Sequence, residues 1–141
     1  MKFNTAYNGE INYEEKDIIT IKKGIPGFKG LTKFVILDVE DNDVFKLIHS
    51  LEDPSLGLII LSPFSVVEDY EIKLSEEVIA ELQIEKEQDV VLYSIVTLNS
   101  DSSKITANLM APIVINVEKK LGQQVIIENS KYKIKEPIIQ G

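Results

Sequence analysis

Apolar and polar residues alternate in short runs along this chain, and turn-forming residues interrupt them every few positions. Phe3, Thr5 and Tyr7 alternate with polar neighbours, and Asn8-Gly9 offers the positive-φ turn of a hairpin. Ile11 and Tyr13 then resume the alternation. Residues 17–22 form another β-rich run. Gly24-Ile25-Pro26-Gly27-Phe28 breaks the pattern: Pro26 lacks a donor and Gly27 tolerates positive φ, which predicts a fixed turn. Strands are expected over residues 34–39, 45–51 and 56–61, separated by Glu40-Asp41-Asn42-Asp43 and Glu52-Asp53-Pro54. The last of these runs is nearly all apolar, as in a strand buried on both faces.

One stretch has helical spacing. Ser75 suits an N-cap, and Glu76 and Glu77 sit where the helix dipole favours acid. Val78, Ile79 and Leu82 form one apolar face, so a short helix is expected over about residues 75–84. Further strands are expected over 90–99, 104–108, 113–118, 123–127 and 132–135, with turns at Lys119-Lys120-Leu121-Gly122 and Asn129-Ser130. Many short strands and one helix predict a mostly β chain, a small antiparallel barrel or sandwich, in one domain over residues 1–141.

Composition narrows the function. No apolar run approaches the ~20 residues that span a bilayer, and the first residues lack the pattern of a secretory signal. A cytoplasmic location is therefore expected. There is no cysteine, which excludes disulfides and thiolate metal sites. The net charge is −8, and every basic side chain is lysine. Without arginine's planar fork, an acidic chain is poorly suited to gripping nucleic acid. The acid is concentrated: residues 38–89 hold 15 Asp or Glu against three Lys, a net of −12. Residues 104–141 carry a net of +3. Such a block suits a solvated surface, and equally one that steers a basic partner.

Candidate chemistry is sparse. The single histidine, His49, falls in phase with Phe45, Leu47 and Leu51, which reads as a half-buried structural residue. The crowded turn of Asp38, Glu40, Asp41 and Asp43 has no glycine at a calcium-loop offset. Gly24 and Gly27 are not followed by the Lys-Ser or Lys-Thr of a phosphate loop. No metal or cofactor is expected. Two acidic clusters remain, Glu68-Asp69-Tyr70-Glu71 and Glu76-Glu77. Paired carboxylates can do acid–base work, but solvated surface acids are far commoner. An aromatic among acids is also a fair docking surface for a basic protein.

Four motifs in order resemble one family. They are Gly24-Ile25-Pro26-Gly27-Phe28; Pro63-Phe64 followed by Glu68-Asp69-Tyr70-Glu71; Asn108-Leu109-Met110-Ala111-Pro112-Ile113-Val114-Ile115-Asn116; and Gly122-Gln123-Gln124-Val125-Ile126-Ile127. The third is the most specific, and together they resemble the FliW family of bacterial flagellar assembly factors from about Phe3 to Pro137. The resemblance implies a small β-barrel-like domain without enzymatic activity. It implies two competing partners, the RNA-binding translational repressor CsrA and newly made flagellin. Flagellin that accumulates would capture the factor and free the repressor. Direct nucleic-acid or membrane binding is not implied.

Candidate contact residues follow from these motifs. Glu68, Asp69, Tyr70 and Glu71, with Phe64 and Met110 as apolar neighbours, are expected to meet the repressor. Asn108 and Pro112 are expected to shape an exposed strand edge on which a flagellin segment could add. Gly24, Pro26 and Gly27 read as turn-makers, and Leu109, Ile113 and Ile115 as core. Two other functions stay open: a flagellin-only chaperone whose acid serves solubility, and a small hydrolase using a carboxylate pair. The hydrolase requires a carboxyl of raised pKa inside a pocket.

Overall fold

The computed structural model describes residues 1–25, 27–28, 30–127 and 131–138. Its strands are β1 (Lys2–Asn4), β2 (Glu10–Asn12), β3 (Ile19–Thr20), β4 (Lys33–Val39), β5 (Asn42–Ser50) and β6 (Gly57–Leu61). A helix, α1 (Glu76–Glu81), precedes β7 (Val90–Thr97), β8 (Thr106–Ala107), β9 (Ile113–Asn116), β10 (Leu121–Gln124) and β11 (Glu136–Pro137). The fold is mostly β, as the sequence pattern predicts.

Strands β3 to β7, β9 and β10 pair in the order β7-β6-β5-β4-β3-β10-β9, and β9 returns to pair with β7. The sheet thus closes into a ring. The pairings are antiparallel except that between β10 and β3, which is parallel. β7 divides its length between neighbours: Val90 to Tyr93 face β9, while Val96 and Thr97 face β8. β8 in turn carries β11.

Alternation along each strand builds two layers. Phe34, Ile48, Ile60, Ile113 and Ile115 pack together as the barrel core. The opposite faces are covered too. The β1–β2 hairpin lies over His49, whose ring meets Phe3 edge-on at 6.2 Å. Gly57 lies opposite His49 in the β5–β6 register. A Cβ there would stand 2.8 Å from the imidazole, so the close approach requires glycine. On another side, Val78 of α1 and Leu82 at its end pack on Val114.

Several boundaries differ from those expected. Of residues 17–22 only Ile19–Thr20 is strand, because Glu15–Asp17 forms a 3-10 turn in which Asp17 accepts from the Glu14 N–H at 2.9 Å. β5 starts three residues early, at Asn42, since Asp41 takes a φ of 58° and makes the reversal shorter. The turn before β10 is likewise earlier, with Lys120 at φ 57° and Leu121 already in the strand. The Gly24 turn is present, with Gly27 at φ 92° and the Phe28 N–H on the Ile25 carbonyl at 2.8 Å. Pro26, like the expected turn at Asn129-Ser130, lies outside the described residues. The strand expected over 132–135 is irregular, because the Lys133 carbonyl accepts from Leu109 outside any ladder; pairing resumes at β11.

α1 begins as expected: the Ser75 hydroxyl accepts from the Val78 N–H at 3.2 Å. It stops at Glu81 because Gln83 takes a left-handed φ of 53°. Asn116 secures that end. Its buried amide donates to the carbonyls of Leu82 (2.8 Å) and Gln83 (3.1 Å) and accepts from the N–H groups of Glu118 (3.0 Å) and Lys119 (3.2 Å). One side chain therefore caps the helix, anchors it to the barrel and shapes the β9–β10 turn. Asn116→Leu is expected to lower stability by roughly 3 kcal/mol, since it leaves buried backbone groups unpaired. The midpoint of urea unfolding checks this; an unchanged midpoint contradicts it.

Glu52 closes the far end of the β4–β5 pair by accepting from the Thr32 and Lys33 N–H groups at 2.7 and 2.8 Å. These hydrogen bonds hold its carboxyl below the ordinary glutamate range. A depressed folded-state pKa confers stability that is complete above the unfolded value of about 4.3 and is lost as pH falls through the folded value. Glu52→Gln is expected to lower stability at pH 7 and to reduce the acid-dependent loss. Denaturant unfolding at pH 7 and at about pH 3 measures it, and parallel acid curves for the two proteins would contradict it.

Candidate partner-binding surfaces

β6 ends at Leu61, and the chain then leaves the barrel wall. Pro63–Ser65 makes a 3-10 turn, and residues 68–89 run as an arm that includes α1. Tyr70 fixes this arm. Its ring is only 4% exposed, meets Tyr132 at 4.5 Å and Phe64 edge-on at 5.8 Å, and its hydroxyl donates to the Leu109 carbonyl at 2.7 Å. Burial pushes the phenol above its ordinary range, so it remains a donor. The Glu71 N–H donates to the Tyr132 hydroxyl at 2.8 Å.

These contacts correct one expectation. Tyr70 is a structural anchor, and its ring is not part of an outer docking surface. The acids around it remain outside: Glu68, Asp69 and Glu71 are exposed, and Phe64 is 50% exposed. The arm of residues 68–89 holds nine acids against two lysines, a net of −7. Glu81 is held by Lys23 at 3.1 Å, but most of the others carry no ion pair among the described residues.

Between the arm and β7 lies a cleft of about 850 Å³. Phe64, Ile72, Leu74, Ile79 and Leu92 contribute apolar lining, with Glu71 and Glu87 beside them. Ile79, expected on the helix's apolar face with Val78 and Leu82, is 37% exposed here because only those two pack on the barrel. The sequence reading missed this cleft. Its one signal was an apolar face on α1 too wide for so short a helix to bury.

The third motif does not form an open edge. The Asn108 side chain accepts from the N–H groups of Met110 (3.1 Å) and Ala111 (3.0 Å), which curls the segment. Both sides of its backbone are engaged. Asn108 N–H donates to Ile95 and Leu109 N–H to Lys133, while the Met110 and buried Pro112 carbonyls accept from Ile127 and Val125. Val125, Ile127 and Lys133 of the returning chain cover the edge that the sequence left unpaired.

Met110 and Asn108 instead line a second groove, of about 450 Å³, with Phe28, Leu58, Ile126 and Ile134. Its lining is almost wholly apolar, and Ile126 is 65% exposed. Phe64 and Met110, expected together, therefore line different depressions, with the buried Tyr70–Leu109 hydrogen bond on the segments that carry them.

His49 is more deeply enclosed than expected, at 1% exposure. Its Nδ1 lies 2.7 Å from the Ser50 carbonyl, which can only accept, so Nδ1 carries the proton. Among the described residues, no group of three or more His, Asp or Glu is placed to hold a metal ion. Among them, too, no helix is long and apolar enough to cross a membrane.

Known proteins share this arrangement. The FliW protein family matches residues 2–138. The chain is 52% identical over 140 residues to a flagellar assembly factor FliW of Clostridium botulinum strain Okra, covering 99% of this chain and 98% of that one. It is 49% identical over 140 residues to that of Clostridium tetani strain Massachusetts, covering 99% and 97%. A crystal structure of the flagellar assembly factor FliW superposes with a TM-score of 0.92 at 44% identity, over 100% of this chain and 99% of that one. The closed strand ring, the arm anchored through Tyr70 and a match that spans nearly every described element lead to one assignment: the chain belongs to the FliW protein family.

Proposed function

We propose that this protein is a cytoplasmic flagellar assembly factor that acts by binding two proteins in turn and catalyses no reaction. One partner is the CsrA-type translational repressor, which it keeps from silencing the flagellin message. The other is flagellin, which captures the factor as it accumulates and releases the repressor. Family membership supports the flagellar role. The charge of the arm over residues 68–89 carries the repressor half of the reading, because an RNA-binding repressor must present basic surface. Opposed charge speeds encounter and fixes orientation more than it adds affinity. The apolar groove beside Met110 supplies the kind of surface a flagellin segment requires.

A flagellin-only chaperone is favoured by one observation: some acids have structural work, as Glu52 clamps two backbone donors and Asp53 accepts from Ser55. Charge reversal separates the two readings. Asp69 and Glu71 are exposed, and their side chains make no hydrogen bond among the described residues. Asp69→Lys with Glu71→Lys is expected to weaken repressor binding by roughly tenfold at low ionic strength, with the difference shrinking as salt rises. Flagellin binding should be unaffected. Calorimetric titrations at two salt concentrations check this, and an unchanged repressor affinity in a folded double variant would contradict the acidic-arm reading.

A further inference from the structure

The cleft under the arm contains an open strand edge. β6 pairs with β7 only through Ile60↔Ile95 and Leu61↔Ser94. β7 continues past that point to Val90, paired with β9 on its other side. The direction of its backbone groups follows from two bonds: Val117 N–H on the Asp89 carbonyl, and Asn108 N–H on the Ile95 carbonyl. Odd-numbered residues of β7 therefore direct N–H and C=O towards β9 and β8. Even-numbered residues direct theirs towards β6. Ser94 meets Leu61 there, but Leu92 lies beyond the last β6 residue that pairs.

The strand on the far side of the gap is treated differently. β5 also outruns β6, since the last pair is Phe45↔Leu61. Its Val44 N–H, on the side that faces β6, is taken by the Asn42 side chain at 2.8 Å. Among the described residues no side chain does this for Leu92. One edge of the notch is blunted and the other is left open.

The open edge coincides with the cleft. Val91 and Tyr93, on the core face of β7, line it together with Leu92 on the outer face. A strand laid here would find apolar side chains on both faces of its pleat, at Tyr93 inside and at Ile72, Phe64 and Ile79 outside. The charged groups at its wall are Glu71 and Glu87 with Lys73, within an arm of net −7.

We infer that this cleft receives an extended protein segment, with alternating apolar and Lys or Arg side chains, that adds to β7 as a strand in line with β6. Main-chain hydrogen bonds to Leu92 hold the segment, alternate apolar residues enter the cleft, and the basic residues meet the acidic arm. The assignment of this segment to the basic repressor rests on the function proposed above; the site itself does not.

Amide exchange at Leu92 tests the site directly. The probe is a blocked synthetic peptide, Lys-Val-Lys-Val-Thr-Val-Lys, titrated into the ¹⁵N-labelled protein, with a Glu-for-Lys peptide as control. The basic peptide is expected to slow exchange of the Leu92 amide at least several-fold, and the acidic peptide to leave it unchanged. Ile79→Glu, at a half-exposed position, should abolish the protection while preserving the spectrum of the folded protein. No protection of Leu92 by the basic peptide, or equal protection by both peptides, overturns the inference. The repressor is then titrated in the same way. Peptide protection that the repressor neither reproduces nor displaces keeps the site and removes the repressor as its occupant.

Discussion

The structure depends on β7 serving two sides of the barrel at once. Its first half closes the ring on β9, its middle meets β6, and its last residues carry β8 and β11 outward. Closure removes the free edges that an open sheet of this length would expose. It also fixes where closure is incomplete, because β6 has five residues and β7 has eight. The notch left by that difference in length is the floor of the larger cleft. A constraint on folding thereby sets the position of a candidate binding surface.

Two buried polar side chains fasten the acidic arm over the notch. Tyr70 ties its beginning to Leu109, and Asn116 ties its end to β9. Both are buried, where a satisfied hydrogen bond specifies one geometry and an unsatisfied one is expensive. The arm can therefore carry a dense negative charge without packing on it. Its exposed acids repel one another in water, while Val78, Leu82, Tyr70 and Asn116 hold the backbone in place. Presenting charge and holding the arm are assigned to different residues.

Much of the fold was legible because its signals are local. The β-rich run over residues 34–39, the positive φ of Gly9 and the Ser75 cap each depend on neighbours in sequence, and each is present. The candidate site was less legible because it depends on distant pairings. Tyr70 sits among three acidic residues and reads as a surface aromatic; its burial comes from Tyr132 and Leu109. The Asn108 to Pro112 segment reads as a free edge until Val125, Ile127 and Lys133 come back to bond it. Asn116 closed the most specific motif, yet nothing local told a strand asparagine from one that caps a helix 34 residues away. The motifs thus report chiefly on how the barrel is fastened, and the charge pattern reports on the surface it presents.

The central claim is a switch between two protein partners, and one titration tests it most directly. The protein is added to a complex of the CsrA-type repressor with the leader RNA of the flagellin message, and bound RNA is followed by fluorescence anisotropy, first without and then with flagellin. The account predicts that the protein releases the RNA and that added flagellin restores it to the repressor. RNA that stays bound throughout, while flagellin still binds the protein, would contradict it and leave a chaperone for flagellin alone.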